Sequence, residues 1–187
     1  MAQPYIGSQG SIEYREASGN GTLISPYIPQ FSLSGLAYFS SANITRTSSI
    51  SYSANDVYGG VFQLQNIGPS GDFIYLNSIS VVFDASSLTG ISACEVYLYN
   101  ASPQSGFADN AAFNVPLIDR ASLLTLSGIS LNPILTRGGG TVVAETILVN
   151  RLLKLATNST SLWGYLVTLG TGLIADSATI SVYSHIR

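Results

Sequence analysis

Few residues in this chain have the type and spacing for chemistry. A zinc site takes three or four ligands, and one histidine, His185, with one distant cysteine, Cys94, is a poor start. His185 therefore reads as a solvent-facing residue of the last strand. Cys94 sits among apolar neighbours of the same face and reads as a small core residue; alone, it allows no internal disulfide. Asp109 and Asp119 flank an apolar stretch. A glycoside hydrolase needs two carboxyl groups facing each other across a sugar. Turn and cap roles for Asp109-Asn110 and Asp119 are the simpler reading.

The glycine motifs fare no better. Gly170-Thr171-Gly172-Leu173-Ile174-Ala175 fits the G-x-G-x-x-G/A pattern of dinucleotide sites. That pattern works only where a helix N-terminus receives the pyrophosphate. The residues after Ala175 alternate like a strand, so a turn is predicted instead. Gly138-Gly139-Gly140-Thr141 has no lysine to reach a phosphate and reads as a loop. Gly68-Pro69-Ser70-Gly71 falls one residue short of a nucleophile elbow, and His185 is the one possible base. Asn20-Gly21-Thr22, Asn43-Ile44-Thr45 and Asn158-Ser159-Thr160 match the glycosylation pattern, but a chain so rich in Ser and Thr supplies such triplets by chance. No enzymatic activity, cofactor or metal is expected.

Composition points the same way. The chain holds 7 Lys plus Arg against 10 Asp plus Glu, and charged residues are 9% of 187, against about 25% in an average domain. Seven scattered cations cannot build a phosphate-tracking stripe, so no nucleic-acid partner is expected. No apolar run reaches the roughly 18–20 residues of a membrane-spanning helix; Val142 to Ala156 is broken by Glu145, Asn150, Arg151 and Lys154. The opening Met1-Ala2-Gln3-Pro4-Tyr5 lacks the regions of a signal peptide. The reading is a soluble protein made in the cytosol. Its polar surface must be mainly Ser, Thr, Asn, Gln and Gly, which cost less to desolvate than ions. Such a surface suits burial against other subunits, including copies of itself.

The elements that position these residues read as strands. Val57–Gln65 is followed by the turn cluster at Gly68–Gly71. Phe73–Phe83 puts Phe73, Tyr75, Ile79, Val81 and Phe83 on one face and Ile74, Leu76 and Val82 on the other. Ile91–Tyr99 places Cys94, Val96 and Leu98 opposite Glu95, Tyr97 and Tyr99, a half-buried strand. Val142–Val149 and Leu162–Leu169 are further strands. The latter and the alternating residues around Ala178–Tyr183 form a hairpin or a sandwich corner. Pro116–Leu124 and Ile147–Leu155 have some helical spacing. The sum is an all-β protein, an antiparallel β-sandwich of jelly-roll-like kind. Phe73, Val81, Phe83, Val96, Leu98, Trp163 and Val167 are expected in its core.

Residues 1–51 read as an extended N-terminal arm and 52–187 as the body. The arm is dense in Ser, Gly and Thr, and Pro4, Pro26 and Pro29 interrupt regular structure. It has too little clustered apolar surface to offset its own ordering. A disordered tail, an arm ordered against neighbours, and an edge strand from Ile44–Tyr52 all fit. Tyr5, Tyr14, Tyr27, Tyr38 and Phe39 are spaced along it without helical period and are the candidate partner interface. Aromatic residues of this kind favour interfaces because they give contact area at low entropy cost.

Two passages carry a resemblance. Tyr52-Ser53-Ala54-Asn55-Asp56-Val57-Tyr58-Gly59-Gly60 resembles the opening of a group of tailed-bacteriophage virion proteins. Tyr97-Leu98-Tyr99-Asn100-Ala101-Ser102-Pro103, with Phe107-Ala108-Asp109-Asn110-Ala111-Ala112-Phe113, resembles a later passage of the same group. Leu162-Trp163-Gly164-Tyr165-Leu166-Val167 is similar in style to their endings. The resemblance implies a head decoration (cement) protein on the outer surface of the phage head, synthesised in the host cytoplasm. Its partners would be the major capsid protein and copies of itself, a homotrimer being favoured. A tail, baseplate or fibre component, with or without a carbohydrate-binding surface, is the alternative.

Overall fold

A computed structural model describes residues 12–18, 28–33, 38–47, 50–84, 88–89, 93–132, 134–138, 141–174 and 179–186. The chain divides into two compact units, Met1–Ala37 and Tyr38–Arg187. In the first, β1 (Ile12–Ser18) and β2 (Ile28–Leu33) pair antiparallel, with Tyr14 opposite Phe31. Tyr5 and Tyr27 lie outside the described residues.

The second unit holds β3 (Tyr38–Thr45), β4 (Ser51–Tyr52), β5 (Val57–Leu64), β6 (Phe73–Asp84), β7 (Leu88–Thr89), β8 (Cys94–Tyr99) and β9 (Ile129–Leu131). It continues with β10 (Ile134–Gly138), β11 (Thr141–Lys154), β12 (Leu162–Thr168), β13 (Gly172–Ile174) and β14 (Thr179–Ile186). A five-stranded sheet in the order β10-β11-β6-β14-β3 packs on a four-stranded sheet, β5-β12-β8-β9, and β4-β13-β7 form a third, small sheet. Every pairing is antiparallel. The fold is a β-sandwich.

Between the two sheets lies the main core, with Leu76, Val81, Phe83 and Val182 from one and Phe62, Leu64, Val96, Leu98 and Leu166 from the other. Alternation on β8 and β12 produces it directly, since inward positions fall every second residue. The tight approach of β5 to β3 needs Gly59, whose φ is +68° and where a Cβ would stand 2.6 Å from the Thr45 carbonyl oxygen. β12 and β14 belong to different sheets with β13 between them in sequence, so the glycine turn before Gly172 is a corner, not a hairpin.

Several expectations are corrected. Phe73 is exposed and Trp163 only half-buried. The reason for Phe73 is a bulge. Leu76 pairs with Arg151 but Ser78 with Ile147, and Asn150, within the extra residues of β11, takes φ +43°. Ser78 and Ile79 are therefore both buried in succession, and the strand exchanges its faces there. Ile74, Leu76 and Ser78 point inward on one side of the bulge; Ile79, Val81 and Phe83 do so on the other. The possible helix at Pro116–Leu124 is a single 3-10 turn, Leu117–Asp119, and Ile147–Leu155 falls largely within β11.

Residues 38–45, read as arm, pair with β14 from Tyr38–Ile186 to Thr45–Thr179. Their inward positions, Tyr38, Ser40, Ala42 and Ile44, include two small residues, which hides the strand from a hydrophobic pattern. Val81, Phe83, Val96, Leu98 and Val167 are buried as expected.

Candidate functional site

Two of the residues singled out for chemistry, Asp109 and Asp119, hold a covering segment in place. Residues 100–128 run over the outer face of the four-stranded sheet. There Val57, Tyr99, Tyr165 and Val167 form a second apolar cluster with Leu123, and Tyr97, Phe107, Phe113, Val115 and Trp163 pack against it. The rings interlock: Tyr97 and Phe113 centroids are 4.5 Å apart, Phe107 and Tyr165 5.4 Å and nearly perpendicular, and Tyr99 and Tyr165 6.0 Å. Edge-to-face contacts of this kind add to simple burial.

Backbone bonds fix the segment at both ends. The Phe113 amide donates to the Asn55 carbonyl at 2.7 Å, and the Val57 amide donates to Ala111 at 2.9 Å. The Leu124 amide donates to Leu98 at 2.8 Å and the Asn100 amide to Ser122 at 2.9 Å. Thr125 Oγ1 accepts the Leu98 amide at 2.8 Å.

The two aspartates complete the fastening, each in its own place. Asp109 Oδ1 accepts the Tyr52 hydroxyl and the Gly59 amide, both at 2.7 Å, and Oδ2 accepts the Thr47 amide at 2.8 Å. It ties the covering segment to the link between β3 and β4 and to β5. Asp119 is buried; its Oδ1 accepts the Gln104 amide at 2.7 Å, and its Oδ2 accepts the Ser105 amide at 3.1 Å and the Ser105 hydroxyl. The Tyr165 hydroxyl donates to the Ser105 carbonyl, joining this clasp to the aromatic layer. Burial raises the Asp119 carboxyl, but the bonds from Ser105 and Gln104 outweigh it and hold the group below its ordinary value. The two carboxylates share no partner among these bonds. The turn and cap roles expected of them are corrected: both aspartates accept from residues distant in sequence, and the 3-10 turn that holds Asp119 has no side-chain cap.

Asp56 works in the same way, accepting the Ser53 amide at 2.6 Å. Next to Tyr52, itself buried in the main core, Arg46 is also buried and donates to the Thr47 carbonyl at 2.9 Å. On β8, Tyr97 donates to Glu95 at 2.8 Å; burial first, then that bond and the Glu95 charge, push its phenol up to about 12.

The remaining candidates are scattered. Cys94 is buried at the start of β8, and desolvation pushes its thiol up. His185 stands in β14 opposite Phe39 and Ser78. Gly170 closes a turn with the Thr168 side chain, and β13 follows it; Ala175 lies outside the described residues, as do Gly139, Gly140 and Asn20. At Gly68–Gly71 the Asp72 amide bonds back to Pro69 at 3.2 Å, a turn. Among the described residues no three His, Cys, Asp or Glu side chains gather as a metal-binding group.

Of the aromatic residues proposed for a partner interface, Phe39 is exposed, while Tyr38 is half-buried against the main core. Tyr14 lies in the first unit. Sequence reasoning missed the covering segment. Its signal was Phe107, Phe113 and Val115 recurring without strand or helix period in a stretch of Ser, Pro and Asn, with one aspartate within it and one just after. Compared with protein-family models and with curated protein sequences, the chain matches none.

Proposed function

We propose that this chain is a non-enzymatic structural protein of a phage particle, decorating and reinforcing the capsid by bridging neighbouring major capsid protein subunits. The observation that carries the proposal is the strand order. Numbered along the chain, the eight strands β3, β5, β6, β8, β9, β11, β12 and β14 lie as 1-8-3-6 in one sheet and 2-7-4-5 in the other. That order supports a jelly roll, an architecture shared by viral capsid proteins, lectins and cupins. Fold alone does not fix function. What narrows it is the use of the acids. Asp56, Asp109 and Asp119 are occupied with protein donors, as scaffolding requires. The low charge of the surface and the resemblance in residues 52–60 and 97–113 add support.

Bridging would come from repetition, since weak contacts multiplied over a shell give avidity. The test is a quantitative gel of purified particles. Hundreds of copies per particle are expected for decoration; a handful would move the protein to the tail or to a receptor-binding tip. Re-adding purified protein to particles stripped of it should restore resistance to heat.

A further inference from the structure

We infer that residues 101–121 are a strap that lifts off the four-stranded sheet as one unit, while both sheets stay folded, and so uncovers an aromatic floor. Such opening is independent of any capsid role. Beneath the strap Val57, Tyr99, Tyr165 and Val167 are at most 1% exposed. The strap itself buries little in return. Of its residues only Asp119 is buried, and Leu117 and Ile118 stand 78% and 59% exposed on its outside. A methyl group placed at Gly106 would meet nothing within 4 Å.

The neck and the far side of the strap are built differently. At the neck the Asn100 amide donates to the Ser122 carbonyl and the Leu124 amide to Leu98, so the chain returning at residues 122–124 runs along β8 like an added strand. Tyr99 and Leu123 face each other there as an antiparallel bridge. Beyond the neck the strap has one 3-10 turn, Leu117–Asp119, and one bridge, from Ala112 to Asp56. Its far side is held by Asp109, which accepts from Thr47, Tyr52 and Gly59, and by backbone bonds to Val57 and Asn55. The Tyr165 hydroxyl adds one bond, to the Ser105 carbonyl. Asp119 binds Gln104 and Ser105, both within the strap, so that clasp travels with it.

A segment with few buried apolar groups opens locally, at less cost than unfolding the domain. The main core lies between the two sheets and its cluster is separate from the one under the strap. Lifting the strap therefore leaves that core closed, and the neck serves as the hinge. One group under the strap favours the open form. The Tyr99 hydroxyl is buried with no hydrogen-bond partner among the described residues, and opening gives it water. Tyr97, Tyr99, Trp163 and Tyr165 then face solvent together, rings with polar tips that the closed form hides.

Trypsin cleavage of the full chain after Arg120 reads the opening. Arg120 is exposed in the strap, whereas Arg137, Arg151 and Lys154 lie within β10 and β11. Cutting through a transient opening tracks the population of the open form. Asp109→Ala removes the main tie of the far side and should speed this cut at least tenfold. Val81→Ala weakens the main core without touching the strap. It should lower Tm yet leave the cut within twofold of the wild type. Hydrogen exchange of the wild type covers the case in which a variant misfolds. The Asn110 and Phe113 amides should exchange together, at least tenfold faster than amides shared by β6 and β14, and with little dependence on urea below the unfolding transition. Equal acceleration by both variants, no acceleration by Asp109→Ala, or exchange of the strap amides at the rate of the β6–β14 amides would each overturn the strap.

Discussion

The two sheets of the sandwich treat their outer faces in opposite ways. The four-stranded sheet is covered by its own chain, with Phe107, Phe113 and Leu123 laid over Tyr99 and Tyr165 and two aspartates fastening the cover. The five-stranded sheet leaves Phe39, Tyr75, Leu152 and Tyr183 in the open. Both faces carry apolar residues, and among the described residues those of the four-stranded sheet are packed under a covering segment. The difference separates aromatic residues that stabilise the monomer from those available to something outside it. Tyrosine enrichment alone cannot make that distinction.

The comparison breaks most visibly at Asp119. Replacing it with Ala strands the Gln104 and Ser105 amides and the Ser105 hydroxyl. Leaving such groups unsatisfied should cost about 2–4 kcal/mol, lowering Tm by roughly 5–15 °C in a thermal melt. Phe113→Ala should follow at about 2–3 kcal/mol, below the full range for a buried ring because Phe113 is half-buried. By contrast, Leu152→Ala, at an exposed position of the five-stranded sheet, should cost about 1 kcal/mol or less. Equal losses at positions 113 and 152 in urea titrations would erase the distinction between the faces.

Acid sharpens the same contrast. The Asp119 carboxyl is held low in the folded state, so its contribution is complete above the ordinary carboxylate value of about 3.9. It is lost as pH falls below that value through the folded pKa. Melts between pH 6 and pH 3 should show a steeper acid-side decline for the wild type than for Asp119→Asn. The smallest effect belongs to the open face. Lys154→Ala should cost about 0.5–1 kcal/mol or less, the range for an exposed cation–π contact, and a double-mutant cycle with Phe73→Leu should recover it.

Much of the sandwich was legible in the sequence, because strands with one face in a core alternate. Cys94, Val96 and Leu98 on β8 announced both strand and face, as did the run from Leu162 to Val167. Phe73 was misplaced because the exchange of faces at Ser78–Ile79 depends on extra residues in β11, which no pattern within β6 reports. The first strand of the sheet, Tyr38–Thr45, was hidden because its inward positions include Ser40 and Ala42. Asp109 and Asp119 were read as turn or cap residues, whereas they fasten distant segments, and those partners were not visible. Thr47, Tyr52 and Gly59 meet Asp109 across 50 to 62 residues of chain, and local spacing carries no information about such a meeting.

The strand order also dictates when this molecule finishes folding. β14 follows every other strand in the chain, yet it fills a gap inside the five-stranded sheet, pairing with β3 on one side and β6 on the other. Until it leaves the ribosome, β3 and β6 each present a row of unpaired amides and carbonyls. Exposed edges of that kind recruit strands from other molecules. Chains stalled before Thr179 should therefore aggregate rather than wait as soluble intermediates. The five-stranded sheet can close only after synthesis has passed β14.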